Sequence, residues 1–326
     1  MKSKSACASV LLLSLAMTAH ADWQMWTVTD TRHVLRSDLP GSDRTVEVRA
    51  ARNEWVSFQV LLRCDEPVRA VRLEAGELRG PEKTRLGLSE SRCYRQHQLH
   101  LETGTYRNSV FKPDWYPDPL IPFAHPVTGK PLEGARFAAV PFDLPADETH
   151  GFWVDLYVPA AASPGDYRGV YRVISDDRRA VEIPVTLTVW DFALPSTPTL
   201  VTAFGSSAQR MRAYYRDKAG EREPADWPAV ESQCAQLLGE HCINATPPSE
   251  LLRPVPQDDG SFRVPSPHVQ ALREFVDRYH VNAIQVPHPS GVVKDPETER
   301  DKLRAWLAAF DRAAHELDRP GVVFFV

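Results

Sequence analysis

The chain has 326 residues, 43% hydrophobic and 25% charged, with 28 prolines and a formal net charge of -5. This length suits two domains, and the composition is that of an ordinary globular protein. The acidic balance, with no long basic run, argues against nucleic acid and anionic membrane as partners.

The chain begins MKSKSACASVLLLSLAMTAHADW. Lys2 and Lys4, the apolar Ala6–Met17 run and the Ala19-His20-Ala21 pattern predict a secretory signal peptide over 1–21, cut before Asp22. The run is too short for a mature membrane anchor, and no other stretch approaches the roughly 20 apolar residues of a spanning helix. A secreted or periplasmic location follows as the expectation. Four cysteines remain: Cys64, Cys93, Cys234 and Cys242. Export permits disulfides, so either Cys64 pairs with Cys93 or all four stay separate thiols. Cys234 and Cys242 lie about 12 Å apart in rise along one helix, too far to bridge unless that helix ends early. His241-Cys242 lacks a second ligand pair, so neither zinc nor another cofactor is expected.

From about Asp22 to Asp191 the hydrophobic pattern has a period of two. Val56, Phe58, Val60 and Leu62 share a face, as do Phe152, Val154, Leu156 and Val158. Val181, Ile183, Val185, Leu187 and Val189 alternate with Glu182, Thr186 and Thr188. Such alternation predicts half-buried antiparallel strands. Pro164-Gly165 marks a turn, and SDDRRA connects a hairpin into the Val181 strand. The sum is an antiparallel β-sandwich over 22–194.

The Pro195–Pro198 stretch reads as a linker, after which strand and helix signals alternate. LVTAFG, CINATPP, VNAIQVP and GVVFFV read as strands. Three helices lie between them. The first carries Val230, Cys234, Leu237 and Leu238 on one face. The second, capped by Ser266, carries Val269, Leu272, Phe275, Val276 and Tyr279. The third carries Leu303, Trp306, Leu307, Phe310 and Ala314. The βαβαβαβ order predicts parallel strands with crossover helices. Thr199–Val326 holds about half the length of a (β/α)₈ barrel of roughly 250 residues. The expected fold class is therefore multidomain: a β-sandwich, then the first half of a TIM-type barrel over 195–326, ending after its fourth strand.

ARNEWVSFQVLLR, WYPDPLIP, PGDYRGVYRV, VEIPVTLTVWDFALPSTPTLVTAFG and LLGEHCINATPP occur in this order. Together they resemble the glycoside hydrolase family 123-like proteins over roughly Trp26–Val326. The resemblance implies a β-sandwich followed by a (β/α)₈ barrel and an N-acetylated hexosamine glycan as substrate. It implies a retaining β-N-acetylgalactosaminidase reaction, an exception to the usual two-carboxylate scheme. The substrate's 2-acetamido oxygen attacks the anomeric carbon, an Asp orients that group, and the adjacent Glu is general acid and base. In the family this pair follows the fourth barrel strand, here GVVFFV, so no residue of this sequence matches it. The expectation is an exported glycoside hydrolase's N-terminal portion, inactive alone. A secreted carbohydrate-binding or structural sandwich protein is the alternative.

Asp258-Asp259-Gly260 and Asp176-Asp177 read as turns, and Asp147-Glu148 as solvated. Ser206, Arg210, Asn244 and His288 follow predicted strands, where barrel enzymes place chemistry, and their polar groups suit sugar hydroxyls. For Asn244 and His288, satisfying loop backbone is the favoured alternative. Trp115 and Tyr116 offer faces for sugar stacking, although packing between sandwich and barrel is the favoured reading.

Overall fold

The computed structural model describes residues 23–104, 110–126, 128–205, 207–217, 224 and 226–326. The leader expected over 1–21 lies outside the described residues.

Strands β1 (Gln24–Thr29), β2 (Val46–Arg52), β3 (Glu54–Arg63), β4 (Val68–Glu74), β5 (Leu78–Arg79), β6 (Arg85–Leu86) and β7 (Ser91–Gln96) come first. They are followed by β8 (Leu99–Leu101), β9 (Asp114–Tyr116), β10 (Leu120–Pro122), β11 (Phe142–Leu144), β12 (His150–Val158), β13 (Gly165–Ile174) and β14 (Val181–Ala193). One sheet runs β1-β3-β12-β7-β10, the other β11-β4-β13-β14-β2. Phe58 of β3 meets Tyr171 of β13 edge-on at 5.8 Å, so the two sheets face each other as a sandwich.

The period-two pattern has its reason here. Ile183, Val185, Leu187 and Val189 of β14 are buried, while Glu182 and Pro184 on either side of Ile183 are exposed. β13 and β14 pair antiparallel from Gly165↔Val189 to Val173↔Val181, as the hairpin reading requires. Asp177 in the connection accepts from the Arg69 backbone N–H at 3.0 Å. β3 departs from the half-buried expectation. Phe58 through Leu62 are all buried, because β3 is an inner strand and its second face is also covered. There Leu61 packs with Trp26 and Val34. Full burial of such a side chain contributes about 1.5–3 kcal/mol, which favours covering both faces.

The chain divides into two compact units. The first holds the described residues up to Arg49, Val56–Leu156 and Ser163–Val189. The second holds Ala50–Trp55, Tyr157–Ala162 and Trp190–Val326. The C-terminal part of the second unit contains α1 (Ser207–Asp217), α2 (Trp227–Glu240), β15 (Val255–Pro256), β16 (Phe262–Arg263) and α3 (Ser266–Tyr279). β17 (Ala283–Gln285), α4 (Arg300–Leu317) and β18 (Val323–Phe325) complete it. β17 and β18 pair in parallel, joined through α4. β15 and β16 form the hairpin expected at Asp258-Asp259-Gly260, with Gly260 at φ 82°. Its core includes Val269, Leu272, Ile284, Trp306 and Phe310.

Four differences from the sequence reading stand out. LVTAFG and CINATPP do not form strands, so among the described residues the parallel ladder comprises β17 and β18. α1 was not expected as a helix. Leu237 and Leu307 are exposed, and their helices instead bury Ala235 on α2 and Ala309, Ala313 and Leu317 on α4. Ser266 opens α3 without capping it; its hydroxyl accepts from Arg263 at 3.1 Å. α2 also approaches α3 closely: a Cβ on Gly239 would lie 2.8 Å from the Tyr279 carbonyl oxygen. Cys64, Cys93, Cys234 and Cys242 are all free, so Cys64 and Cys93 are not paired. Burial, with Asp155 adding to it, pushes the Cys93 thiol up to about 12. Among the described residues, no helix is long and apolar enough to cross a membrane.

Candidate functional site

Parallel strands place chemistry at their C-terminal ends. β17 ends at Gln285, opposite Phe325, and the next backbone N–H, that of Val286, donates to the Phe325 carbonyl at 2.7 Å. Ile284 and Val286 are buried while Gln285 between them is exposed. The strand thus directs Gln285 away from the helix-packed core. His288 follows, exposed, its Nδ1 accepting from the Ser290 N–H at 3.2 Å and capping the short turn at Pro289–Gly291. Arg210 is exposed on α1. Ser206 lies outside the described residues.

Asn244 sits elsewhere. It is 4% exposed, and its backbone N–H donates to Thr202 Oγ1 at 2.8 Å. Its side chain donates to the Thr202 carbonyl at 3.2 Å and to Asn282 Oδ1 at 2.8 Å. It accepts from the Asn282 N–H at 3.0 Å. Asn282 immediately precedes β17, six residues before His288. At about 3.3 Å per residue, that contour spans roughly 20 Å. Asn244 therefore belongs to the N-terminal edge of the parallel pair and His288 to the opposite end. The Asn244 amide is committed to neighbouring segments.

A cavity of about 400 Å³ opens in the second unit between α2, the segment 245–250 and α3. Gly205, Thr246 and Tyr279 line it, with Arg212 paired to Glu231 at 2.8 Å. Ser232 and the Tyr279 hydroxyl share a hydrogen bond of 2.8 Å across its wall.

In the first unit, Trp115 is 37% exposed. The Arg36 guanidinium covers one face, 3.7 Å from the ring centroid, and His100 lies 5.2 Å away. Tyr116 stacks on Phe111 at 5.6 Å and donates to the Lys112 carbonyl at 2.8 Å. Both aromatic residues therefore have partners within this unit.

Glu148, expected as solvated, is instead engaged. It accepts from His150 Nε2 at 2.8 Å and pairs with Arg36 at 3.4 Å, while Arg36 also donates to Gln98 at 2.6 Å. His150 is 6% exposed, and its Nδ1 is buried without a partner. Burial lowers the His150 pKa, and Arg95 and Arg36 add to this against the opposing hydrogen bond to Glu148. The sequence carried a signal for this group. His150 extends the inward parity of Phe152, Val154 and Leu156 by one step, into a stretch otherwise reading as loop. Among the described residues, no group of three His, Cys, Asp or Glu side chains is arranged to hold a metal ion.

Residues 26–175 match the model of the glycoside hydrolase 123 N-terminal domain. No curated protein sequence matches the chain. Among solved structures, the chain is similar to a family 123 glycoside hydrolase from Clostridium perfringens, studied for glycolipid glycan hydrolysis. The TM-score is 0.58 at 12% identity, covering 93% of this chain and 58% of that one. The chain thus spans little more than half the length of that enzyme. A PapD-like domain of human CEP192 gives a TM-score of 0.22 at 8% identity over 57% of this chain and 98% of its own. A Bacteroides ovatus GH5 xyloglucanase gives 0.20 at 10% identity over 86% and 43%. Likenesses that weak carry no argument about fold. The chain is similar to glycoside hydrolase family 123, residues 26–175 matching the model of that family's N-terminal domain and the fold following that of a family 123 enzyme.

Proposed function

We propose that these residues are the N-terminal portion of an exported glycoside hydrolase: a β-sandwich followed by the first half of a (β/α)₈ barrel. The observation that carries the reading is the joining of the family's N-terminal domain to a parallel β17–α4–β18 unit. The reaction is that of a retaining β-N-acetylhexosaminidase of the β-N-acetylgalactosaminidase type, acting on a glycan. The 2-acetamido oxygen attacks the anomeric carbon as the general acid protonates the departing glycosidic oxygen. Water then opens the cyclic intermediate, giving its proton back to the same carboxylate. The Asp-Glu pair for these steps follows β18, so residues 1–326 alone are inactive. His288 and Arg210, both exposed, remain candidate sugar contacts, as does Gln285 at the end of β17; Ser206 remains one from its place in the sequence. Trp115 remains one only by its uncovered face.

The test is hydrolysis of an aryl N-acetyl-β-galactosaminide by residues 22–326 and by a longer chain that continues past β18. The longer chain turns the substrate over with retention of anomeric configuration, and the shorter does not. Turnover by residues 22–326 would overturn the placement of the catalytic carboxylates.

A further inference from the structure

Arg95 lies on β7 directly opposite Phe152 of β12, on the face that Cys93 and Val154 also share. The same register, continued one step, sets His150 beside His97. Arg95 is half-buried and its Nε is fully buried without a hydrogen-bond partner. Its guanidinium lies over the Phe142 ring, 4.0 Å from the centroid. Among the described residues it has no ion pair. Other arginines with a buried Nε are different: Arg178 pairs with Glu66 at 2.9 Å and Arg52 with Asp191 at 3.6 Å. Nearby Arg36 also has its carboxylate, Glu148. A half-buried cation with no counter-charge is unfavourable unless something neutralises it.

The neighbourhood does not relieve the imbalance. His150 leaves Nδ1 buried and unpartnered; with Nε2–H donating to Glu148, that nitrogen becomes a donor only when the ring takes up a second proton. Half-buried His97 packs on Phe137, itself 43% exposed, at 4.7 Å. Burial lowers the His97 pKa, with Arg95 and Arg36 adding to it, and burial alone lowers that of Arg95. Glu148 is the one carboxylate acting on His150, and it also serves Arg36. The local field is positive.

We propose that Arg95 is the charged centre of an anion site in the sandwich unit that takes one oxyanion group, a sulfate or carboxylate, with His97 and His150 taking up protons from solvent as the anion enters and then donating to it. Its aromatic border, Phe142 and Phe137, suits an anion carried on a sugar ring as well as the free ion. A planar guanidinium matches either oxyanion through paired N–H donors. This site is independent of the reading of the second unit as half a barrel.

The experiment follows the His97 and His150 ring resonances by NMR while sodium sulfate is added at constant ionic strength, balanced with chloride. Saturable shifts of both rings are expected. In Arg95→Met the rings keep their folded positions in chloride, and the sulfate-dependent shifts fall at least tenfold. Arg95→Gln, which keeps a donor but no charge, gives the same loss and serves if the Met variant does not fold. Galactose 6-sulfate and glucuronic acid distinguish the sources. Binding tenfold tighter than inorganic sulfate assigns the site to an acidic sugar, and equal binding to the ion itself. Non-saturable shifts, or shifts unchanged in the Arg95 variants, would overturn the proposal.

Discussion

The carboxamide of Asn244 accepts from the backbone N–H of Asn282 at 3.0 Å and donates to the Asn282 side-chain oxygen at 2.8 Å. Asn282 in turn donates to the Pro198 carbonyl at 2.6 Å. These bonds tie three chain segments at the N-terminal edge of β17, where a backbone ladder between them is missing. Leaving a buried donor or acceptor unsatisfied costs about 1–3 kcal/mol. Asn244→Asp is expected to destabilise the second unit more than Asn244→Ala. It keeps the acceptor for the Asn282 N–H but turns carboxylate oxygen toward two other oxygens. Urea unfolding of the two variants checks the order, and equal midpoints would contradict it.

At Gly239 two effects oppose each other. Alanine in a helix is normally better than glycine by about 1 kcal/mol. Here the added methyl meets the Tyr279 carbonyl oxygen at 2.8 Å, a backbone atom that cannot rotate away. Overpacking of this kind costs about 1–3 kcal/mol, so the clash prevails. Gly239→Ala lowers the melting temperature; a rise would mean that α2 and α3 separate freely.

The buried His150 makes the first unit sensitive to acid. Its folded pKa lies below the ordinary 6.5 because burial disfavours the charged ring. As pH falls through 6.5 the unfolded chain takes up the proton first, so stability present above that value is lost below it. One such proton changes stability by up to about 1.4 kcal/mol per pH unit. His97, shifted the same way, adds to the slope. Urea midpoints between pH 7.5 and 5.5 should fall, and His150→Gln should flatten the decline. An unchanged slope in the variant would contradict this account.

Cys93 should resist thiol reagents. Its thiol, pushed up to about 12, holds almost no thiolate at pH 8. Iodoacetamide labelling followed by peptide mass spectrometry should leave Cys93 unmodified in the native protein and modified in urea. Equal labelling in both states would show that the strand is not closed around it.

The sandwich hairpins were legible because one exposed face forces alternation, as in the Glu182–Val189 stretch. β3 was less so, since the pattern of one face says nothing about a second layer such as Trp26 and Val34. On α2 and α4, side-chain size misdirected the reading. Leu237 and Leu307 face water, while small Ala235 and Ala309 occupy the close contacts. The first two expected strands of the second unit fail for another reason. Side-chain bonds from Asn244 to Thr202 stand where a ladder would be, and no hydrophobic period reports them. Of the cluster of Glu148, His150 and Arg36, only His150 left a trace in the sequence, through its parity on β12; Glu148 comes from a loop-like stretch and Arg36 from a distant segment. Of the strand-end residues chosen from sequence, His288 stands at the expected end of β17, whereas Asn244 stands with Asn282 at the other.

The most direct test of the central claim is the coding sequence downstream of the Val326 codon. An open frame is predicted to place an Asp-Glu pair within a few residues of β18, followed by four further strand–helix units. A stop codon at that point would contradict the glycosidase reading for this polypeptide.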